Sequence, residues 1–416
     1  MTGSDAVRAA AAAARDGYGR LLGLLAAADG DLAGAEDALA DALEQALRRW
    51  PEHGVPDRPE AWLLTVARNR QRDRWRSAEA RRTTPLDLDR HARRAVTIDE
   101  VDPDAVGDRR LELMLLCAHP LIDPGMRAPL MLNVVLGFTA AEIAAVFTVP
   151  RATMATRLVR AKRRIKAAGI PFDLPDRSHL PARMAAVLEA VYGAYVIEWS
   201  STGGEPRPLP PEGLHLAEVL AQVAPDDPEA RGLAALVLLS AARAPARTDA
   251  DGRLVPLLEQ DPACWDRSLI ERGHGHLRAA HAHRSVGRFQ LEAAIQATHC
   301  ARTPDRQPDW ATLKELHRSL QQLAPSRGST TALAAVLAET DGPAAGLAVL
   351  DQLGEGADRF QPAWATRAHL LERLGDRAGA LAAYDRAISL TTDPAERDHL
   401  TRLRRAVASR SDPLRG

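Results

Sequence analysis

The strongest constraint on the fold of this chain is a spacing. Tyr18, Leu21, Leu22 and Leu25 follow one another at i, i+3, i+4 and i+7, the stripe of one helix face. The period returns at Ala35, Leu39, Ala42, Leu43 and Leu47, and again at Trp62, Leu63, Val66 and Ala67. From residue 181 to 408 the pattern is helix pairs separated by Pro and Gly turns. No apolar/polar alternation runs long enough for a strand, aromatics are only 4%, and Ala and Leu dominate, so the fold class is all-α. Only three lysines occur (Lys162, Lys166, Lys314), so Arg carries almost all positive charge. A GC-rich genome would produce the same bias.

Several classes are excluded at once. No run of about 18 apolar residues exists, so no membrane span is expected. The start, Met1 to Asp5, lacks a basic segment before an apolar one, which argues against a secretory signal. Cys117, Cys264 and Cys300 lie far apart and form neither a disulfide framework nor a cysteine zinc site. A reduced, cytoplasmic location is expected. No cofactor is expected.

Turn signals divide the 416 residues. Residues 5–50 read as two helices, the second from about Leu32 to Trp50. The segment 51–59, with three prolines and a glycine, reads as a loop, and a third helix starts near Glu60 and runs to about Arg82. The aperiodic 83–107 is a linker. Helices are predicted at Asp108–Ala118, Gly125–Leu136, Thr139–Val146 and Arg151–Ala168, with a Pro-marked boundary after 170. This gives domains at 1–82, 108–172, 180–325 and 326–410, with long connections at 200–213 and 244–264.

The net charge of -1 hides a sorting. Residues 1–172 carry 26 Lys and Arg against 23 Asp and Glu, and the remainder carries 28 against 32. Asp29, Asp31, Glu36, Asp37, Asp41 and Glu44 form an acidic stretch without a base. Residues 68–82 hold seven arginines, and residues 151–166 hold seven bases and no acid. Two basic helices of this kind could form a two-point grip on DNA, with steep salt dependence. Solvated helix faces are the bland reading of the same charge runs.

Residues 137–166 have the layout of a helix-turn-helix. Thr139 and Glu142 fit a capping box, Ile143, Val146 and Phe147 give the first helix its buried face, and Thr148-Val149-Pro150 makes the turn. The second helix buries Met154, Leu158 and Ile165 and presents Arg151, Thr153, Thr156, Arg157 and Arg160. Arg suits guanine edges, Thr suits a thymine methyl, and the basic flank with Lys162 and Arg163 suits phosphates. An ordinary αα-hairpin would lack that basic face.

These residues carry a resemblance. Trp62-Leu63, Ala67, Asn69, Asp73 and Arg76 match each fixed position of W-L-x-x-x-A-x-N-x-x-x-D-x-x-R. Glu142-Ile143-Ala144 is followed by Thr153-Met154, Arg157 and Arg160-Ala161, with Met where Val is usual. The first 172 residues thus resemble a bacterial RNA polymerase sigma factor of the extracytoplasmic-function group, with region 2 at 1–82 and region 4 at 108–172. The resemblance implies core RNA polymerase (β′ clamp helices and β subunit) and promoter DNA as partners, with no membrane. It implies no catalytic residue and no metal. It places Asp31, Glu36, Asp37, Asp41 and Glu44 at the polymerase clamp, and Arg68, Asn69, Arg70, Arg72, Arg74, Trp75 and Arg76 at the -10 element. It places Thr139, Arg151, Thr153, Thr156, Arg157, Arg160, Lys162 and Arg163 at the -35 element. Trp75 could stack on an unpaired base or fill the core; the sequence does not fix its face. The loop 51–59 sits where the family captures a flipped base, and the linker 83–107 would run through the polymerase channel.

Residues 180–408 resemble a sub-group with a long TPR-like helical extension, through Thr248-Asp249-Ala250-Asp251-Gly252-Arg253, Gln260-Asp261 and Trp265-Asp266. One repeat reads well at Trp364, Ala368, Leu371, Gly375, Ala380, Tyr384 and Ala387, although Gly30, Ala35, Leu39 and Ala42 fit the same spacing. The extension could regulate or stabilise the complex and take a protein or peptide partner. His274, His276, His281 and His283 read as surface histidines rather than metal ligands. Asp249, Asp251, Asp261 and Asp266 read as caps and loop braces. A polymerase-independent repressor or activator would explain the helix-turn-helix but not the Asn69/Asp73 pattern. An enzyme in the C-terminal part finds no nucleophile–base motif.

Overall fold

The computed structural model describes residues 10, 17–28, 31–79, 110–147, 149–168, 180–200, 212–303, 308–354, 356–391 and 393–409. Arg81, Arg82, the linker 83–107, Thr148 and the segment 201–211 lie outside them, as do the side chains of Trp75 and Arg76. Regular structure among the described residues is helical apart from one antiparallel bridge, Thr248 to Leu254. The chain divides into two compact units, 1–194 and 195–416.

In the first unit α1 (residues 17–28), α2 (Leu32–His53) and α3 (Pro59–Glu79) form one group. The Asp31 carboxylate accepts the Gly34 N–H at 3.1 Å and starts α2. The buried face of α2 is Leu32, Ala35, Ala38, Leu39, Ala42, Ala46 and Trp50. Leu47, expected on that face, is 48% exposed, because the buried stripe steps through Ala38, Ala42 and Ala46. Alanines let α3 approach closely, and Trp50 closes the end edge-to-face on Trp62 at 5.5 Å. Pro51 does not end α2. The helix runs to His53 and stops at Gly54, whose φ of 89° suits glycine and whose N–H bonds Trp50 O, so the following loop is shorter than 51–59.

The second group is α4 (Arg110–Cys117), α5 (Pro124–Val134), α6 (Ala140–Val146) and α7 (Arg151–Ala168). α7 buries Met154, Leu158, Ala161 and Ile165 at helical spacing, and it packs on α5 and α6. α8 (Leu180–Ser200) adds to this group through Arg183 Nη1, which donates to Leu115 O at 3.0 Å. The division between the units falls inside α8. Gly19 of α1 lies against α5's end: a Cβ there would sit 1.8 Å from Val135 O.

The second unit continues with α9 (Glu212–Val223), α10 (Pro228–Ala241), α11 (Arg267–Ala282), α12 (Arg288–Cys300), α13 (Trp310–Leu323) and α14 (Arg327–Thr340). It ends with α15 (Pro343–Leu350), α16 (Gln361–Arg373), α17 (Arg377–Leu390) and α18 (Pro394–Ser409). In α10, Ala230 and every residue from Gly232 to Ala241 are buried, so the helix is apolar all round and central. Glu229 at its start receives the N–H groups of Phe289 and Gln290, capping α12, whose own N-cap Gly287 has no side chain to do so. The α16–α17 pair turns at Gly375 (φ 80°) and buries Ala368, Ala380, Tyr384 and Ala387 with Leu400 of α18. These are the repeat positions read in the sequence.

Candidate nucleic-acid interface

The helix-turn-helix forms as its local chemistry dictates. Thr139 Oγ1 accepts the Glu142 N–H at 3.3 Å and Glu142 Oε2 accepts the Thr139 N–H at 2.7 Å, a reciprocal cap worth about 1 kcal/mol. Thr139, expected at DNA, thus has its hydroxyl committed to α6. On α7, Arg151, Thr156, Arg157, Arg160 and Arg163 are exposed and Thr153 is half-buried. Thr156 Oγ1 donates to Ala152 O at 2.9 Å, so the methyl is what that residue offers a ligand. Arg157, Arg160 and Arg164 share one side of α7 and line a cleft of about 590 Å³ with Ile122, Asp123 and Met126. Arg164 was not among the expected site residues. Its spacing of four from Arg160 and seven from Arg157 was the available signal.

On α3 the arginines divide by face. Arg70 lies 4.0 Å from Asp41 and Arg74 lies 3.1 Å from Asp37, both on α2. Arg74 also donates to Gly34 O at 3.4 Å. Arg68 is half-buried and its Nε has no partner. Burial, and then Arg72, lowers its pKa. Asn69, Arg72 and Asp73 are exposed as well.

The acids expected at the polymerase clamp are all engaged. Besides Asp37 and Asp41, Glu44 pairs with Arg48. Glu36 Oε1 accepts from Lys162 Nζ at 2.6 Å, with both side chains at most one-quarter exposed, and Asp31 lies 3.3 Å from Lys166. Thus two bases of α7 are held by two acids expected to dock polymerase. The half-buried Glu36–Lys162 bond is worth about 1.5–3 kcal/mol. The more exposed Asp31–Lys166 pair is worth about 0.2–1 kcal/mol. Cys117 lies beside the first pair: burial, reinforced by Glu36 and opposed by Lys162, pushes its thiol up to about 12. Tyr18 is raised by burial and then by Glu36.

The other constellations have structural employment. Asp249 Oδ1 receives the N–H groups of Asp251 and Arg253, Asp251 pairs with Arg253, and Asp261 and Asp266 cap the turns that start at Pro262 and Arg267. His274 and His276 are half-buried, and His281 and His283 are exposed. Among the described residues no three His, Cys, Asp or Glu side chains gather as for a metal. No helix among them is long and apolar enough to cross a membrane.

Comparison with known families agrees with this layout. Residues 15–81 match Sigma-70 region 2, and residues 112–165 match Sigma-70, region 4. Residues 183–281 match a family of unknown function, DUF6596. The chain is 35% identical over 368 residues to "Uncharacterized protein R00370" of Rhizobium meliloti (strain 1021), covering 87% of each. No solved structure matches.

Proposed function

Because the chain belongs to the sigma-70 family of RNA polymerase sigma factors, in the extracytoplasmic-function layout with a C-terminal extension, we propose that it divides promoter recognition between α7 and α3. Sigma factors are initiation factors without bond chemistry of their own, and they bind core polymerase and promoter DNA. In this reading α7 enters the major groove at -35, with Arg151, Thr153, Thr156 and Arg157 at base edges and Arg160, Arg163 and Arg164 at phosphates. α3 meets the opened -10 strand through Asn69 and Arg72, joined by Arg70 and Arg74 once their α2 partners are drawn to polymerase.

The observation that supports it is the acid-free exposed face of α7 behind a capped α6. Run-off transcription with core polymerase over a promoter library is the test. Arg157→Ala should impair -35 use uniformly across -10 variants, and Arg72→Ala should impair opening. Retained promoter choice in both would overturn the assignment.

The Glu36–Lys162 and Asp31–Lys166 pairs favour an addition. Docking and DNA-reading charges neutralise each other in this arrangement, so engaging either partner competes with closure of the first unit. The C-terminal unit regulates or stabilises the complex in this reading, and its helix pairs suit a protein or peptide partner. Deleting residues 195–416, which leaves the α8 contacts to Leu115 in place, should change promoter output or its control. Unchanged output and regulation would refute that role.

A further inference from the structure

Among the described residues of the second unit, one buried positive charge has no counter-ion. Arg243 follows the end of α10 and is 7% exposed. Its Nη2 donates to Gln296 Oε1 of α12, and its Nε has no hydrogen-bond partner. Among the described residues Cys300, Tyr195, Arg302, Arg247 and His299 act on or with Arg243, none of them a carboxylate. Burial pushes the Cys300 thiol up, so it stays neutral, and its Sγ lies 3.6 Å from Leu239 O.

Arg302 is differently placed. It donates to the carbonyls of Leu257, Leu258 and Gln260 and lies 5.2 Å over the Trp265 ring, so it braces the loop before α11. The two histidines nearby are neutral. His299 is held down to about 3 by burial, then by Arg243. Burial holds His317 at about 4, and its Nδ1 is buried without a partner. The C-terminal end of α10 offers at most about half a negative charge. An unpaired guanidinium cannot shed its proton, and burying it costs several kcal/mol.

We propose that Arg243, with Gln296, His299 and His317, forms a binding site for a small oxyanion, a carboxylate or phosphate group taken side-on by the guanidinium. The planar fork of Nε and Nη suits two acceptor oxygens, and the imidazoles supply further donors once the anion is present. The site goes beyond promoter recognition and does not depend on it.

Full-length protein, titrated with inorganic phosphate, with succinate and with an acetylated tetra-aspartate peptide, provides the test. Chloride at matched ionic strength is the control, and thermal unfolding and histidine proton NMR are the readouts. The expected result is saturable stabilisation by at least one probe, with the His299 midpoint moving up by about one pH unit. Response to the free ions alone assigns a small-molecule anion, and preference for the peptide assigns a peptide carboxylate. Arg243→Gln should weaken binding at least about tenfold, the loss of about 1.4 kcal/mol. Binding no stronger than chloride, or equal binding by R243Q, overturns the proposal. Should R243Q fail to fold, the wild-type spectra decide: saturation that leaves both His299 and His317 unmoved also overturns it.

Discussion

Gly19→Ala is the sharpest test of closure in the first unit. The added Cβ would lie 1.8 Å from Val135 O and 2.9 Å from Val135 C. Contact distances near 3.3 Å require α1 to retreat from α5 by about 1.5 Å. Overpacking of this kind costs about 1–3 kcal/mol, and the same retreat strains the 2.6 Å Glu36–Lys162 bond. At about 1.4 kcal/mol per factor of ten, closure weakens by about 5- to 150-fold. Helix propensity acts oppositely: Ala for Gly within a helix stabilises by about 1 kcal/mol. The readout is Cys117, fully buried beside the ion pair, against Cys300, buried in the other unit. In a Cys264→Ser background, mass-spectrometric mapping of thiol labelling should show Cys117 reacting at least about fivefold faster in G19A, with Cys300 unchanged. Raising salt should accelerate Cys117 in the parent as well, because the Asp31–Lys166 pair is exposed to screening. A G19A protein that is more stable, with Cys117 labelling as in the parent, would refute the reasoning.

Three further outcomes follow from the described contacts. Glu229→Ala removes the carboxylate that receives the Phe289 and Gln290 N–H groups and should lower unfolding free energy by about 1–3 kcal/mol in urea titration, whereas Gln should recover part of it. Thr139→Ala should cost about 1 kcal/mol and Thr139→Ser almost nothing; if Ser weakens promoter binding without affecting stability, Thr139 touches DNA after all. His299 and His317 are neutral in the fold, at about 3 and about 4, and titrate near 6.5 when unfolded. Below pH 6.5 the unfolded chain binds the extra protons. Stability should therefore be full above that value and fall by about 1.4 kcal/mol per pH unit per histidine down to the folded values. A flat urea midpoint between pH 6.5 and 5, or an unchanged slope in His317→Gln, contradicts this.

Local order was legible in the sequence. The Thr139/Glu142 cap, the Met154–Leu158–Ile165 stripe and the Trp364 to Ala387 repeat are short-range patterns, and each formed as read. The errors have physical causes. Leu47 was read inward because leucine is large and apolar, yet the packed face of α2 is made of alanines that allow close helix approach. Pro51 reads as a stop in the sequence, but the helix continues past it to His53 and ends at Gly54, whose N–H bonds Trp50 O. The charge map was legible as composition and not as pairing. Glu36 and Lys162 lie 126 residues apart, and nothing local to either names the other. Arg243 looked like one arginine among many, and only burial without a carboxylate sets it apart.

The all-round burial of α10 has a consequence for how the protein is made. A leucine-rich rod with no outward face packs on α9 before it, but its remaining faces stay uncovered until α11 and α12 exist, and these are complete only at Cys300, about sixty residues downstream. At about 5–20 residues per second, the emerging chain carries that rod uncovered for about 3–12 s on the ribosome. The sigma-like unit precedes it and can fold meanwhile. A stalled or shortened product ending between residues 242 and 300 should therefore aggregate rather than persist as a lone sigma unit.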